Sequence, residues 1–263
     1  VRIFAIFLSS DNPHNNGDIC ETFGETNMAL VAETAINKSK PLQYQGRKAS
    51  RAKSEQRRRI ILEAALRIVI SEGVRGIRHR AVAKEAGVPL AATTYYFKDI
   101  QELIIDTFTL YTEKALEVVN EFTHQFYQPM ASMAGTDLSS PEGQKALLDF
   151  MVEQLTIYMN EQIVSQRDML IAEQAFRYEA IVNDSIRKLA QMHRKALFDK
   201  AAEFFGNVTN SAEPEADAEI LLGLFHSLEY SALLKNEEEL NLTEVSAVLR
   251  RHLSLLLPGL LAG

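Results

Sequence analysis

A single cysteine, Cys20, leaves the chain without an internal disulfide, and its six scattered histidines share no repeated spacing of the kind a structural zinc site requires. Cys20 therefore reads as a free thiol in a reducing cytoplasm, and no metal is expected. No segment has an uninterrupted apolar run near the ~20 residues that a membrane helix needs. The apolar opening from Val1 to Leu8 is shorter than a secretory core and follows no strong basic cluster, so a signal peptide is not expected. Strand patterning is nearly absent: Thr93 to Phe97 has strand-like composition, but it is short and stands just after a turn, which favours a helix. Catalytic motifs are missing as well. There is no nucleophile elbow, no glycine loop to cradle phosphate and no His-x-x-x-His pair, and His193 and Asp199 join no recognisable constellation. These absences point away from an enzyme, and no cofactor is expected.

What is present suffices for a substantial core, because 46% of the 263 residues are apolar and 24% are charged. The net charge of −7 conceals a division along the chain. From Arg47 to Lys98 there are 13 Lys or Arg against 4 Asp or Glu, while the remainder carries 15 basic against 31 acidic residues. A segment near +9 is thus joined to one near −16. A local basic face of this kind fixes where phosphate can bind, and the acidic remainder discourages indiscriminate binding elsewhere.

Residues 1–45 mix Asn, Asp, Gly and Thr without sustained periodicity and read as a disordered extension. Met28 lies inside it; either translation begins there and residues 1–27 belong to an over-extended reading frame, or the tail is genuine. A basic arm follows over residues 46–54. From Ser54 to Glu72, apolar Ile61, Ala65, Ile68 and Val69 recur at helical spacing, and Gly73 stops the helix. Two short helices, Arg80 to Ala86 and Leu90 to Tyr96, flank Gly87-Val88-Pro89. There, Gly supplies a positive φ and Pro suits the first turn of the next helix. A long helix is expected from about Ile100 to Phe126, then a loop from Gln128 to Pro141. Further helices are expected at about Glu142 to Asn160, Ser165 to Gly206 with an interruption between Arg177 and Ile186, Glu215 to Lys235, and Leu242 to Leu257.

Two short helices joined by a glycine-containing turn are the units of a helix-turn-helix, with Val82, Ala83, Ala86 and Val88 facing inward, Tyr96 and Phe97 placed to pack the end of the second helix against the long helix that follows, and the second helix placed to enter a major groove. The residues also carry a resemblance. Ile61-Leu62-Glu63-Ala64-Ala65, Gly73, His79-Arg80-Ala81-Val82-Ala83-Lys84-Glu85-Ala86-Gly87-Val88-Pro89, Thr93-Thr94-Tyr95-Tyr96-Phe97 and Glu102-Leu103 resemble, in order, the DNA-binding domain of TetR-family transcriptional regulators. The match runs for about 50 residues from Arg58, whereas the C-terminal half resembles the family only in being helical and of the right length. The resemblance implies an all-α chain with a three-helix DNA-binding domain over residues 55–115 and a helical ligand-binding and dimerisation domain over residues 116–263.

It further implies that Ala91, Ala92, Thr94, Tyr95 and Tyr96 meet bases or phosphates and that His79 and Arg80 open the preceding helix beside the backbone. Three positions depart from the pattern. Many relatives have tyrosine at Thr94, a phosphate-gripping lysine at Ile100 and a Ser or Thr cap at Arg78. Lys98 is placed to replace the second contact, and Arg78 can bind phosphate although it cannot cap. The reading helix has no Asn, Gln or Arg for bidentate base pairing. Specificity is therefore expected to lean on apolar contacts to thymine methyls, on DNA shape and on the arm, where Arg47 and Arg51 contact phosphate or enter the minor groove.

For the C-terminal half, the resemblance implies a homodimer through the last two helices. Leu221, Leu222, Leu224, Phe225 and Leu228 are candidates on one helix, and Val245, Val248, Leu249, Leu253 and Leu256 on the other. Phe108, Tyr111, Phe150, Tyr158 and Phe176, with Phe122, Phe126, Met151, Met159 and Met169, are candidates to line a pocket for a small-molecule effector. Arg167, Glu173 and Arg177 are either polar holds for that effector or surface ion pairs. The expectation is a cytoplasmic regulator acting on double-stranded operator DNA, most simply a repressor released by its ligand. The alternative is a partner-binding helical protein that reuses the fold without operator specificity.

Overall fold

A computed structural model of the protein describes residues 43–47, 52–130, 140–206 and 211–256. Cys20, Met28, Arg51, most of the N-terminal extension, residues 131–139 of the expected loop and Leu257 lie outside the described residues. Among the described residues the chain is all-α and has no strand. Its helices are α1 (Ala52–Glu72), α2 (His79–Glu85), α3 (Leu90–Tyr96), α4 (Ile100–Met130), α5 (Pro141–Asn160), α6 (Arg167–Val182), α7 (Asp184–Phe204), α8 (Pro214–Leu233) and α9 (Leu242–Ser254). None of them is long and apolar enough to cross a membrane.

Two cores organise these helices. The first is built from α1, α2, the end of α3 and the start of α4, with Ile61, Leu62, Val82, Phe97, Leu103 and Leu110 excluded from solvent. Ala172 and Phe176 of α6 and Ile186 of α7 join the same cluster, so the N-terminal head rests directly on the following domain. The second core lies around Phe126, Met151, Met159, Phe205, Leu221 and Leu249, contributed by α4, α5, α8, α9 and the segment just after α7. α4 and α7 run along both, α4 as the longer of the two, which makes them the mechanical links between the cores.

Several boundaries differ from the expectation for physical reasons. α4 continues through Pro129 to Met130 because Phe126 and Met130 pack on the second core and hold the last turn. The interruption near residue 183 is a cap: the Asn183 side chain accepts from the backbone N–H groups of Ser185 and Ile186, ending α6 and starting α7. Between α5 and α6 the chain makes a π-helical turn, Glu161–Ser165, a form that periodicity alone does not announce. Tyr44 and Gln45, assigned by sequence to the extension, are docked. The Gln45 and Gly46 backbone N–H groups donate to Asp106 at 2.7 and 2.9 Å, and the Tyr44 hydroxyl donates to Glu113 at 2.5 Å.

Candidate nucleic-acid interface and ligand cavity

The turn between α2 and α3 is built as its residues require. Gly87 has φ +64, the Val88 N–H donates to the Ala83 carbonyl at 3.0 Å, and Val82, Ala83 and Thr93 are buried where the helices meet. Thr93 turns its hydroxyl back to the Leu90 carbonyl at 2.8 Å, satisfying it within the helix. The outer face is left with exposed Ala91, Thr94 and Tyr95, half-buried Ala92, and exposed Leu90. Arg78, Arg80, Lys84 and Lys98 are exposed around it and make no ion pair with any described residue. Arg78 provides no side-chain cap to α2, and His79 is half-buried with its Nδ1 unpartnered. Ile100 packs against the first core, so the position where relatives carry a lysine does not belong to this face.

Tyr95 and Tyr96 have opposite fates, although the sequence suggested a shared role. Tyr95 is 52% exposed, whereas Tyr96 is 5% exposed and its hydroxyl is 2.8 Å from the Ser54 hydroxyl. Tyr96 is therefore a packing residue tying α3 to α1 rather than part of the outer surface: it stands three positions after buried Thr93, on the same side of the helix. Arg47 does reach the reading helix. Its guanidinium lies 4.3 Å above the Tyr95 ring and its backbone N–H donates to the Tyr96 carbonyl at 2.9 Å.

The clamp behind Arg47 was not foreseen. Asp106 is fully buried in α4, accepts the two arm N–H groups, and lies 3.3 Å from Arg58. Burial pushes its carboxyl above the usual range, while the two N–H donors and Arg58 oppose the rise. Gly46 is required there, because a Cβ would come within 2.8 Å of both Asp106 and the Phe97 ring. Arg58 itself, part of the basic run, is buried between Glu55, Asp106 and the Tyr44 ring, and is withdrawn from any phosphate.

In the second domain a cavity of about 460 Å³ opens between α4, α5, α6, α7 and α8. Of the seven aromatic residues expected to line it, Tyr111, Phe122, Phe126 and Tyr158 do, together with Met169. Phe108 and Phe176 instead fill the first core, with ring centroids 5.0 Å apart, and Phe150 packs on Phe126 at 5.1 Å. Helical spacing identified buried rings but could not tell a cavity wall from a filled core. Tyr111 also contacts Phe176 at 5.4 Å, so the cavity wall touches the head's core through one ring.

The polar end of the cavity gathers Glu173 of α6, His226 and Glu229 of α8, His193 of α7 and Gln162 of the π-turn. Ligand atoms of Glu173, His226 and Glu229 lie within 4.8 Å of one another, a grouping that no spacing in the sequence displays. Burial raises the Glu229 carboxyl to about 8, helped by the nearby Glu173 charge and opposed by Arg177. Burial lowers both His193 and His226 to about 4, so both imidazoles are neutral at neutral pH. Arg177 pairs with Glu173 at 3.6 Å, as a surface ion pair would. Arg167 is not a ligand hold: it donates to the carbonyls of Ala232, Leu233 and Lys235 and closes the end of α8.

The expected dimer helices are present, but most of the named residues face their own core. Leu221, Val245, Leu249 and Leu253 are buried and Leu224, Phe225 and Leu228 pack on that core, leaving Val248 exposed. The outward face of α8 instead presents Ile220, Gly223, Ser227, Tyr230 and Leu234, and a Cβ on Gly223 would meet nothing within 4 Å.

No protein-family model matches the chain. It is 24% identical over 212 residues to the HTH-type transcriptional regulator PksA of Bacillus subtilis, covering 75% of this chain and 88% of PksA. A TetR-family member from Streptomyces coelicolor superposes with a TM-score of 0.52 at 23% identity, covering 77% of this chain and 99% of that one. The multidrug binding protein EbrR, solved in complex with malachite green, gives 0.51 at 22% identity, over 77% of this chain and 99% of its own. The fold of this chain is that of the TetR-type regulators.

Proposed function

We propose that a chain with this fold is a sequence-specific DNA-binding transcriptional regulator, which acts as a repressor and leaves its operator when a small molecule fills the cavity. The observation that carries this reading is the outer face of the helix-turn-helix. Exposed Tyr95, Thr94 and Ala91 on α3 are ringed by Arg78, Arg80, Lys84 and Lys98, none of which is neutralised by a described acidic residue. Side chains of α3 reach base edges in the major groove, the surrounding cations hold phosphates, and Arg47 lies beside Tyr95 to extend the contact. His79 and Ala92 stand at the margins of the same face.

Two such heads are needed to cover a pseudo-palindrome, and the uncharged stripe along α8, with Val248 of α9 and Leu255 just after α9, supplies a surface for a homodimer. Ile220 and Leu234 are exposed there in the single chain, and Gly223 lets a partner helix approach closely. A bound effector acts on the spacing of the heads. The route runs from the cavity through Tyr111 to Phe176, and along α4 into the first core. To lower operator affinity 100-fold, the effector must favour the off-DNA spacing by about 2.7 kcal/mol.

Selection of bound sequences from a random duplex pool tests the reading. The expected product is a two-fold symmetric site bound by two chains. A pool that shows no enrichment after repeated rounds at low salt would refute it.

A further inference from the structure

We infer, resting on the reading of the cavity as an effector site, that its ligand is an organic cation: a flat aromatic amine whose positive group is held by Glu229 and whose ring system lies among the aromatic walls. Glu229 is 6% exposed, faces the cavity, and makes no hydrogen bond or ion pair with any described residue. A carboxyl buried without a partner is costly, and a cationic ligand is the group that removes the cost. Its neighbours offer no cation to hold the ionised form, so burial keeps the carboxyl protonated at neutral pH and a positive group on the occupant draws it into its charged form. Glu173 already has Arg177 at 3.6 Å and His226 at 3.5 Å, and both His226 and His193 are neutral.

A second, independent feature marks the same end of the cavity as incomplete. Gln162 is 8% exposed, lines the cavity, and its Nε2 has no acceptor. A donor left unsatisfied in a buried wall calls for an acceptor on the occupant, so the ligand carries an oxygen or ring nitrogen as well as its positive group. The π-turn holds Gln162 in place, the kind of irregularity that recurs where a helix serves a site. The body of the cavity suits an aromatic occupant. The Phe122 and Tyr158 rings lie tilted to each other with centroids 4.6 Å apart, and Phe225 follows at 5.9 Å from Tyr158. Ring faces beside a carboxylate hold a cation by both charge and quadrupole. At the rim, exposed Glu117, Glu121 and Glu203 outnumber Lys114 and Lys200, and Lys200 is engaged by Asn120 at 2.7 Å. The volume, about 460 Å³, accommodates a three-ring molecule, far more than a bare metal ion would need.

The probe is 9-aminoacridine, a cation at neutral pH, compared with acridine, which has the same rings and is neutral. Fluorescence titration of the full chain without DNA should show the cation binding at least about tenfold tighter, and Glu229→Gln should remove that preference while leaving acridine binding unchanged. Gln162→Leu should weaken acridine, whose ring nitrogen is a free acceptor, by a few-fold, and leave 9-aminoacridine, whose ring nitrogen carries the proton, nearly unchanged. Equal binding of the two dyes, binding of neither, or a preference that survives Glu229→Gln overturns the inference. Displacement of the dye by Zn2+ in a manner lost with His226→Ala would assign the carboxylates to a metal ion and overturn it as well. Because no DNA is present, a failed operator selection with an intact dye preference would sink the regulator reading alone, and the opposite result would sink this one alone.

Discussion

The two cores of this protein are assembled from similar helices but are finished differently. In the head, the polar groups buried between the helices are largely satisfied internally, His79 Nδ1 and Thr112 Oγ1 excepted: Thr93 donates to Leu90, Asp106 holds two backbone N–H groups and Arg58, and Tyr96 meets Ser54. In the second domain, Glu229, Gln162 Nε2 and His193 Nδ1 face a cavity without partners. A satisfied core fixes one shape, which suits a surface that must match a DNA groove. An unsatisfied one stores a demand that a ligand can meet, so that binding has something to change. α4 passes from the first condition to the second within a few turns, from Asp106 to Tyr111 and then to Phe122.

The contrast can be broken most forcefully in the head. Phe97→Ala, which removes a fully buried ring under Gly46 and Tyr96, should cost about 3–5 kcal/mol in denaturant unfolding. A loss below about 1 kcal/mol would mean that the head core is no more tightly finished than the other. Tyr95→Ala should then separate surface from core: operator preference should fall by about 100-fold, or about 2.7 kcal/mol, with folding and dimer unchanged. Should the variant lose stability instead, Tyr95 would have to be counted with Tyr96 as a packing residue. Arg80→Ala should weaken binding to all duplexes and make the dependence of log affinity on log salt shallower by about one unit; an unaltered slope removes it from the phosphate contacts.

The smallest effect concerns the cavity's acid. Glu229 in the folded chain takes its proton near 8, against about 4.5 when unfolded, so between those values the folded state holds a proton that the unfolded chain has released. Stability contributed by the neutral carboxyl is therefore full at low pH and falls as pH rises through that window. Glu173 and Arg177 of α6, His226 of α8, His193 of α7, Tyr111 of α4 and Tyr158 of α5 surround the group. Glu229→Gln should leave the melting temperature nearly unchanged at pH 5 and raise it by about 5 °C at pH 8.5. A constant difference at both pH values would show that the carboxyl is hydrated.

The head was legible in the sequence because its signals are local. Gly87, the apolar positions of α1 and the run from His79 to Phe97 report on neighbours a few residues away, and α2 and α3 fall within a residue of expectation. Even so, Tyr96 carried two readings, packing beside Phe97 and contact with DNA beside Tyr95, and its burial agrees with the first. The cavity was less legible because it is formed by residues from five helices. Tyr111, Phe122, Phe126 and Tyr158 line it, but in the sequence they look the same as Phe108 and Phe176, which fill the head's core. His226 and Glu229 are three residues apart on one helix, but their meaning depends on Glu173, more than fifty residues earlier, and on Gln162. The outward stripe of α8 was missed for a related reason. The large apolar residues of α8 turn inward, whereas its free face alternates large and small ones around Gly223.

The central claim is that the satisfied head reads a specific DNA sequence. The most direct test compares affinity for the chain's own upstream DNA with affinity for random duplex at two salt concentrations, for the wild type and for Tyr95→Ala. The account predicts dimeric, sequence-selective binding whose selectivity persists as salt rises and disappears in the variant. Weak binding that is equal for both duplexes at low salt, and indifferent to Tyr95, would contradict it and leave the fold serving a protein partner instead.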